Sequence, residues 1–268
     1  MKTFETPGPV ELDLAVPAGK IVLEAAETAT TEVELEPLGG SDATRELIER
    51  SKVELRPRGA GHELVVDVPS ERTFGIRLGR TPQVRLRVRC PQGGKVKART
   101  SSADVDARGR FGPANVETVS GEIEWEAVDG DASLRSTSGG VRIGSVTGAL
   151  SVKTISGDAE VGTVGGNLVA EAVSGHLRVE DAAGAVRSKT VSGDQQVTVA
   201  AGKVELESIS GDVIARVRAG SRVFVDANAL SGEVSSEIEL SGAAADGEGP
   251  LVEIRARSVS GHVRIARA

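Results

Sequence analysis

Residues 148–166 read GALSVKTISGDAEVGTVGG and carry a glycine at every ninth position. The same spacing continues from Gly94 to Gly220 and is interrupted only at Ala103. Every second glycine follows a serine, at positions 120, 138, 156, 174, 192 and 210, so the full repeat is 18 residues long. A spacing this strict predicts one backbone unit that is repeated in space.

Each half-repeat has the pattern of a short β-strand. After Gly148, the second, fourth and seventh residues are Leu150, Val152 and Ile155, whereas the intervening Lys153 is polar. Alternation of this kind predicts a strand with one buried face, to which we assign the three aliphatic residues. The glycine that precedes the strand allows the chain to turn there.

Nine residues are too few for a strand and a crossover helix, so the strands are expected to stack in successive rungs. We predict an all-β fold: a parallel β-solenoid with 18-residue, two-strand rungs about 4.8 Å apart, with the right-handed form favoured. Seven such rungs fit between Gly94 and Gly220. Outward positions 18 residues apart alternate in charge, as in Lys153 and Glu171, which is expected of stacked partners.

The composition argues against several classes of protein. The chain has 268 residues and a net charge of −7, which does not favour binding to nucleic acid or to an anionic membrane. It has one cysteine, Cys90, so no internal disulfide is expected. Four phenylalanines, one tryptophan and no tyrosine are too few for the aromatic platforms of sugar-binding β-helices. Neither a membrane span nor a signal peptide is visible, so we expect a cytoplasmic protein, with envelope association as the alternative.

The chain is expected to have two regions. Residues 1–90 lack the nine-residue spacing but alternate like strands, and we predict that they form an irregular β cap continuous with the solenoid. A short helix is predicted between Ser41, a candidate N-cap, and Ser51. Residues 91–268 are predicted to be the repeat region, with a loop insertion near 242–250.

The C-terminal end of the solenoid is predicted to be uncovered. The chain ends soon after the strand at 263–265, and neither a proline nor a helix follows to hide its backbone groups. We therefore expect a homodimer joined through this C-terminal rung. The alternative is that the 242–250 loop or the N-terminal segment covers the end.

Three phrases carry a resemblance to a known family: TISGD at 154–158, TVSGD at 190–194 and SISGD at 208–212. They resemble a bacterial family of β-strand-repeat proteins of unknown function that are labelled "putative adhesin". The resemblance covers roughly residues 85–265. It implies the solenoid fold and an adhesin-like role, and it supplies no catalytic residues.

Catalytic and metal-binding chemistry find little support in the sequence. His176 follows a repeat glycine, and its stacked neighbours are expected to be Asp158 and Asp194, but polar residues are common after turn glycines. Calcium-binding nonad repeats need a denser Gly-Gly-x-Gly-x-Asp pattern, which the sequence lacks. We therefore predict no catalytic residue, no cofactor and no metal ion.

A column of hydroxyl residues is predicted on the exterior of the repeats. Its members precede repeat glycines by three positions, at Thr118, Ser136, Thr154, Thr190 and Ser208. Together with the serines directly before those glycines, they form two columns of the kind found on ice-binding solenoids. The alternative is a hydrogen-bonded ladder that satisfies polar groups at the corner.

One basic stretch stands out against the acidic total. Nine Lys and Arg residues, and no acidic residue, lie between Arg72 and Arg99. We predict that two alternating triplets form one patch for an anionic ligand, with the members Arg85, Arg87, Arg89, Lys95, Lys97 and Arg99. The alternative is a solvated face balanced by acidic residues such as Glu11, Asp13 or Glu63.

The pattern as a whole favours a non-enzymatic β-solenoid that acts as a scaffold or binding module for an unknown protein or an anionic polymer. One alternative is a polysaccharide-active β-helix enzyme, which would need clustered carboxylates in a groove. The outward columns alternate in sign instead. The other alternative is a self-assembling filament of the cytoskeletal type, in which the ends of molecules pair.

Overall fold

The computed structural model describes residues 1–39, 42–59, 61–70, 82–238 and 249–268. Over these residues the chain forms strands and a single short helix, which confirms the predicted all-β class. The fold divides into two compact units. Unit 1 comprises Met1–Gly130 and Leu134–Gly139, and unit 2 comprises Asp131–Ser133 and Gly140–Ala268. Strand β12 (Ala132–Ser136) has residues in both units.

Unit 1 contains two sheets and the helix. Its elements are β1 (Lys2–Glu5), β2 (Val10–Ala15), β3 (Ala18–Ala26), β4 (Thr30–Leu38), α1 (Asp42–Arg50), β5 (Lys52–Arg58), β6 (Gly61–Asp67), β7 (Gln83–Pro91), β8 (Val96–Arg99), β9 (Ser102–Phe111), β10 (Ala114–Thr118) and β11 (Ile123–Val128). Sheet 1A has the strand order β1-β4-β7-β3-β9-β11, and sheet 1B has the order β10-β8-β2-β6-β5. Antiparallel pairs occur at β1/β4, β4/β7 and β5/β6, whereas the repeat-like strands pair in parallel.

The predicted helix is present as α1, Asp42–Arg50. Its buried residues are Thr44 and Leu47. At its C-terminal end the Ser51 hydroxyl donates to the Leu47 carbonyl oxygen at 2.8 Å, which satisfies one of the free carbonyls of the last turn. The predicted N-cap, Ser41, lies outside the described residues.

Unit 2 consists of two sheets whose strand pairs are parallel. Its strands are β13 (Val141–Val146), β14 (Leu150–Thr154), β15 (Ala159–Val164), β16 (Leu168–Ser174), β17 (Leu177–Ala182), β18 (Val186–Ser192), β19 (Gln195–Val199), β20 (Gly202–Ser210), β21 (Val213–Val217), β22 (Arg222–Ser231), β23 (Val234–Ser236), β24 (Leu251–Ser260) and β25 (Val263–Arg267). Sheet 2A has the order β13-β15-β17-β19-β21-β25-β23, and sheet 2B has the order β14-β16-β18-β20-β24-β22.

The registers of unit 2 bring the predicted charge partners together. Lys153 of β14 is the Cα partner of Glu171 of β16, and its Nζ lies 2.8 Å from the Glu171 carboxylate. In sheet 2A, Arg142 is the partner of Glu160, and their charged groups are 3.1 Å apart. The predicted alternation of stacked charges is therefore confirmed at these pairs.

The core of unit 2 lies between its two sheets. Aliphatic residues on the inward faces are buried, for example Val152 of sheet 2B and Val161 of sheet 2A. Hydrogen bonds also connect the two sheets. The buried Gln195 of β19 in sheet 2A donates to the Thr190 hydroxyl at 2.7 Å and to the Glu207 carbonyl oxygen at 2.8 Å, both in sheet 2B. These two hydrogen bonds satisfy the amide nitrogen of this inward residue, whereas its Oε1 is buried without a partner among the described residues.

Close approach of successive turns explains the repeated glycine. Gly193 has a φ of +133°, which L-residues with a side chain rarely adopt. A Cβ added there would lie 2.1 Å from the carbonyl oxygen of Gly175, the glycine 18 residues earlier. Neither the backbone conformation nor the available space therefore admits a side chain at this position.

The predicted burial of the seventh residue in the half-repeat is wrong. Ile155 and Ile209 are 50% and 54% exposed, whereas the preceding Thr154 and Ser208 are both 5% exposed. The reason is the strict alternation of side chains along a strand. With Leu150 and Val152 pointing inward, the next inward residue is the hydroxyl residue, and the aliphatic residue after it points to solvent.

The prediction that the last strand is the open edge is also wrong. Strand β25 pairs with β21 on one side and with β23 on the other. In sheet 2B, β24 lies between β20 and β22, and in sheet 2A, β25 lies between β21 and β23. The last strands of the two sheets are therefore β22 and β23. A dimer joined through β25 therefore has no edge to use. Most of the predicted loop, at 242–248, lies outside the described residues.

Candidate binding surfaces

Three arginines point outward from β7 in sheet 1A. Arg85, Arg87 and Arg89 alternate with the buried residues Val84, Leu86 and Val88. The strand therefore buries its aliphatic face and presents one row of guanidinium groups to solvent.

Acidic residues lie on both sides of this row. On antiparallel β4, Glu36 and Glu34 are the cross-strand partners of Arg85 and Arg87, with charged groups 3.7 Å and 4.0 Å apart. On parallel β3, Glu24 lies 3.4 Å from Arg89. Cross-strand ion pairs of this kind orient the side chains, although exposed pairs contribute little to stability.

The row borders a cleft of about 500 Å³, which we call the 1A cleft. Its charged lining consists of the cations Lys20, Arg85, Arg87, Arg89 and Arg108 and the carboxylates Glu24, Glu32, Glu34 and Asp106. Asp106 of β9 neutralises two of the cations, since it lies 3.5 Å from Lys20 and 3.3 Å from Arg108. The cleft is thus a mixed-charge surface rather than a cationic one.

Two groups in the 1A cleft are poorly matched by their neighbours. Among the described residues, the carboxylate nearest to Arg87 is that of Glu34, 4.0 Å away, and this arginine side chain is about half exposed. Glu32 faces Arg89 across the strands, but Arg89 pairs with Glu24 instead. No cation of the described residues lies within ion-pair distance of Glu32. Glu32 is therefore a free carboxylate among the described residues, and Arg87 holds only a long ion pair with Glu34, so both groups can contact a ligand.

The six predicted cations do not form one patch. Lys97 and Arg99 lie on β8, which belongs to sheet 1B, whereas the arginines of β7 belong to sheet 1A. The chain changes sheet at the turn between β7 and β8, and Lys95 lies in this connection just before β8. The prediction failed because it assumed that two consecutive basic strands stack.

Asp13 is the acidic partner of Lys97 and Arg99 on β8. Its carboxylate lies 3.2 Å from Arg99 and 3.9 Å from Lys97. This is the balanced, solvated face that the sequence offered as the alternative. Positions 72–80 of the basic stretch lie outside the described residues, as does position 81.

The hydroxyl residues three positions before the glycines are buried, so the predicted exterior column is wrong. In unit 2, the backbone N–H of Gly157 donates to the Thr154 hydroxyl at 2.8 Å. In unit 1, Gly121 donates in the same way to Thr118 at 2.9 Å. These hydroxyls satisfy the turn, as in the hydrogen-bonded alternative.

His176 belongs to a ladder of acceptors along the turns of unit 2. Its backbone N–H donates to Asp158 Oδ1 at 2.8 Å, and its Nδ1 accepts from the backbone N–H of Asp194 at 3.3 Å. Asp194 Oδ1 accepts in turn from the Asp212 backbone N–H at 2.9 Å. The predicted stacking of these residues is confirmed, and each side chain holds the next turn in place. Across the described part of the chain, no group of three acidic, histidine or cysteine residues is arranged to hold a metal ion.

The lone cysteine lies beneath the row of arginines on β7. Cys90 is fully buried, and burial raises the pKa of its thiol to about 12. Because the thiolate is the reactive form, this thiol is chemically inert at neutral pH.

A different pKa shift occurs at the surface of sheet 2B, where a hydrogen bond from Lys203, together with the charge of that lysine, lowers the pKa of Glu205.

The comparisons with known proteins identify the family. The sequence matches Toastrack DUF4097, a family of unknown function, over residues 28–265. The chain belongs to the Toastrack family. Among curated proteins, none matches it. In the part of this Toastrack chain that the structure describes, no helix is long and apolar enough to span a membrane.

Two solved structures share the fold. One, from Parabacteroides distasonis, is described as a "putative lipid binding protein"; it is 12% identical with a TM-score of 0.56, covering 100% of this chain and 95% of that one. The other, from Bacteroides fragilis, is described as a "putative adhesin"; it is 14% identical with a TM-score of 0.50, at the same coverage. At these identities the likeness shows the fold alone.

Proposed function

We propose that this Toastrack protein is a non-enzymatic, adhesin-like binding module. A right-handed solenoid of 18-residue rungs is its scaffold, and the 1A cleft is its ligand site. The ligand is a protein segment that carries both signs of charge. The observation that carries this proposal is the pair of poorly matched groups in the cleft, Arg87 and Glu32.

The charge balance of the cleft favours a protein over an anionic polymer. Four carboxylates line it beside five cations. The carboxylates would therefore repel a uniformly negative chain at the same surface where the cations attract it. A segment with one carboxylate and one ammonium group can pair with Arg87 and with Glu32. Glu32 then gains a cation, and Arg87 gains a carboxylate closer than that of Glu34.

The spacing of the row suits an extended segment. Side chains on one face of a β-strand recur about every 6.7 Å, which is also the spacing between Arg85, Arg87 and Arg89 along β7. An extended segment can therefore place a carboxylate at Arg87 and, two residues along, an ammonium group at Glu32, which is the cross-strand partner of Arg89.

The chemistry of the cleft supports binding rather than catalysis. The charged groups of the 1A cleft form ion pairs with one another, as Arg89 does with Glu24 and Lys20 does with Asp106. The nearby nucleophile, Cys90, is buried beneath the sheet and is not exposed to a ligand in the cleft.

A pair of synthetic peptides tests this proposal. A peptide of repeated Glu-Ser-Lys-Ser places Glu and Lys alternately on one face when extended, whereas repeated Glu-Lys-Ser-Ser has the same composition and places them on opposite faces. Titration calorimetry at low salt should detect binding of the first peptide and at least about tenfold weaker binding of the second.

Heparin provides the second arm of the experiment. The proposal expects heparin to bind more weakly than the Glu-Ser-Lys-Ser peptide because of the acidic lining. Tighter binding of heparin would assign the cleft to anionic polymers and overturn the proposed ligand class. Equal binding of the two peptides would show that the spacing along β7 has no role.

A further inference from the structure

A row of aliphatic side chains lies in solvent along sheet 2B. Each member directly precedes the serine of a Ser-Gly pair, and each is between 44% and 83% exposed. In strand order the row consists of Ile155, Val173, Val191, Ile209, Val259 and Leu230, and we call it the aliphatic ridge.

The register makes the ridge continuous. Ser192 pairs with Ser210 and Ser210 pairs with Ser260, so the residues just before them, Val191, Ile209 and Val259, are neighbours. With strands about 4.8 Å apart, six consecutive members form a line about 24 Å long. Contiguous exposed apolar surface of this kind marks an interaction site in a soluble protein.

The ridge is flanked by two different columns. On one side are the exposed serines of the Ser-Gly pairs. On the other side, two residues before each ridge residue, is a column that we call the charged flank: Lys153, Glu171, Lys189, Glu207, Arg257 and Asn228, in strand order. The alternating charges along the charged flank determine which surface can bind to the ridge.

We propose that the aliphatic ridge binds the same ridge of a second copy of this chain in antiparallel orientation. A two-fold axis that crosses the ridge between Val191 and Ile209 sets charged flank against charged flank. Reversal of the order then places Lys189 opposite Glu207 of the partner subunit and Glu171 opposite Arg257 of the partner subunit. Both contacts, and their two symmetry equivalents, join opposite charges.

The same geometry matches the apolar groups. The two ridges have the same strand spacing, so they stay in step along their whole length, with Val191 opposite Ile209 of the partner subunit. A parallel arrangement would set the charged flank against the serines and lose every one of these ion pairs. Association therefore follows from this face alone and does not depend on a ligand in the 1A cleft.

Sedimentation velocity over a range of concentrations tests association through the ridge. The wild type should form a dimer, and Val191→Glu should be monomeric because it places a charge at the centre of the interface. Val119→Glu is the matched control, since Val119 occupies the equivalent half-repeat position of unit 1 and is 53% exposed. This variant should remain dimeric.

Charge reversal tests the antiparallel register. Lys189→Glu gives a chain that is negative at both central positions, and Glu207→Lys gives one that is positive at both. Each variant alone should be monomeric, whereas an equimolar mixture should form a heterodimer, detectable by native mass spectrometry. Circular dichroism of each variant verifies that it is folded.

Three outcomes would overturn the proposal. They are a monomeric wild type at all soluble concentrations, a Val191→Glu variant that is still dimeric, and a charge-reversed mixture that stays monomeric. If the monomeric wild type also binds phosphatidylcholine vesicles, and Val191→Glu does not, the ridge is a lipid-binding surface instead.

Discussion

The hydroxyl of Thr154 and the backbone of Gly157 are joined by two hydrogen bonds. The hydroxyl accepts from the glycine N–H at 2.8 Å and donates to the glycine carbonyl oxygen at 2.7 Å. This contact closes the turn after β14 from the inside. Because Thr154 uses the inward slot, the next residue, Ile155, points to solvent and joins the aliphatic ridge.

Replacement of this hydroxyl should destabilise the protein. Thr154→Val keeps the shape of the side chain but leaves the buried N–H of Gly157 without its partner, which costs about 1–3 kcal/mol. The neighbouring Ser156 is exposed, so Ser156→Ala should change the free energy of unfolding by no more than about 0.5 kcal/mol. Urea unfolding of the three proteins measures the difference, and equal stabilities would show that the turn does not depend on this hydroxyl.

A charge in the core of sheet 2B should be far more costly than loss of a surface ion pair. Val152 is 1% exposed, so Val152→Asp should lower the free energy of unfolding by about 4 kcal/mol or more, or prevent folding. Lys153→Ala removes only the exposed ion pair with Glu171 and should cost at most about 1 kcal/mol. Similar melting temperatures for the two variants would contradict the orientation of β14.

Removal of one buried hydroxyl should stabilise the protein. Ser188 is fully buried between its register partners Ala170 and Leu206, and its hydroxyl has no hydrogen-bond partner among the described residues. Ser188→Ala should therefore raise the free energy of unfolding by about 1 kcal/mol. Ser151→Ala on the outward face of sheet 2B is the control and should have little effect. A destabilised Ser188→Ala variant would mean that this hydroxyl is satisfied in solution.

The thiol of Cys90 should make stability fall at alkaline pH. Burial raises its pKa in the folded state from 9.0 to about 12. As the pH rises through this interval, the unfolded chain releases the thiol proton first, so the free energy of unfolding decreases between about pH 9 and pH 12. Below pH 9 the stabilising effect is fully present.

A comparison with Cys90→Val isolates this effect, because every other titratable group is the same in the two proteins. The difference in unfolding free energy between the wild type and the variant should be constant at neutral pH and should shift in favour of the variant above about pH 9. A difference that does not change with pH would show that the thiol is solvated in the folded protein.

Local patterns in the sequence predicted much of the repeat region. The alternation around Val152 and the charges at Lys153 and Glu171 depend on neighbours in the same or the next repeat, and both were predicted correctly. The exposure of Ile155 was missed because an aliphatic residue was assigned to the core on its chemistry, although its distance from Val152 is an odd number of residues.

Features that depend on pairing between strands far apart in the sequence were harder to predict. After Gly220 the spacing breaks, and nothing in the local sequence indicates that β25 inserts between β21 and β23. The 1A cleft joins β7 to β4 and β3, which precede it by about 50 residues or more. The alternating Glu32, Glu34 and Glu36 did provide a signal, because they form an acidic strand face that could match the arginines of β7.

The most direct test of the proposed binding function is titration of the Glu-Ser-Lys-Ser peptide against two charge-reversal variants. Arg87→Glu removes the poorly matched cation of the 1A cleft, and Arg135→Glu reverses an equally exposed arginine of unit 1 that pairs with Glu117 outside the cleft. We predict that Arg87→Glu weakens binding by at least about tenfold, while Arg135→Glu binds like the wild type. Equal affinities for the two variants would contradict the assignment of the ligand site to the 1A cleft.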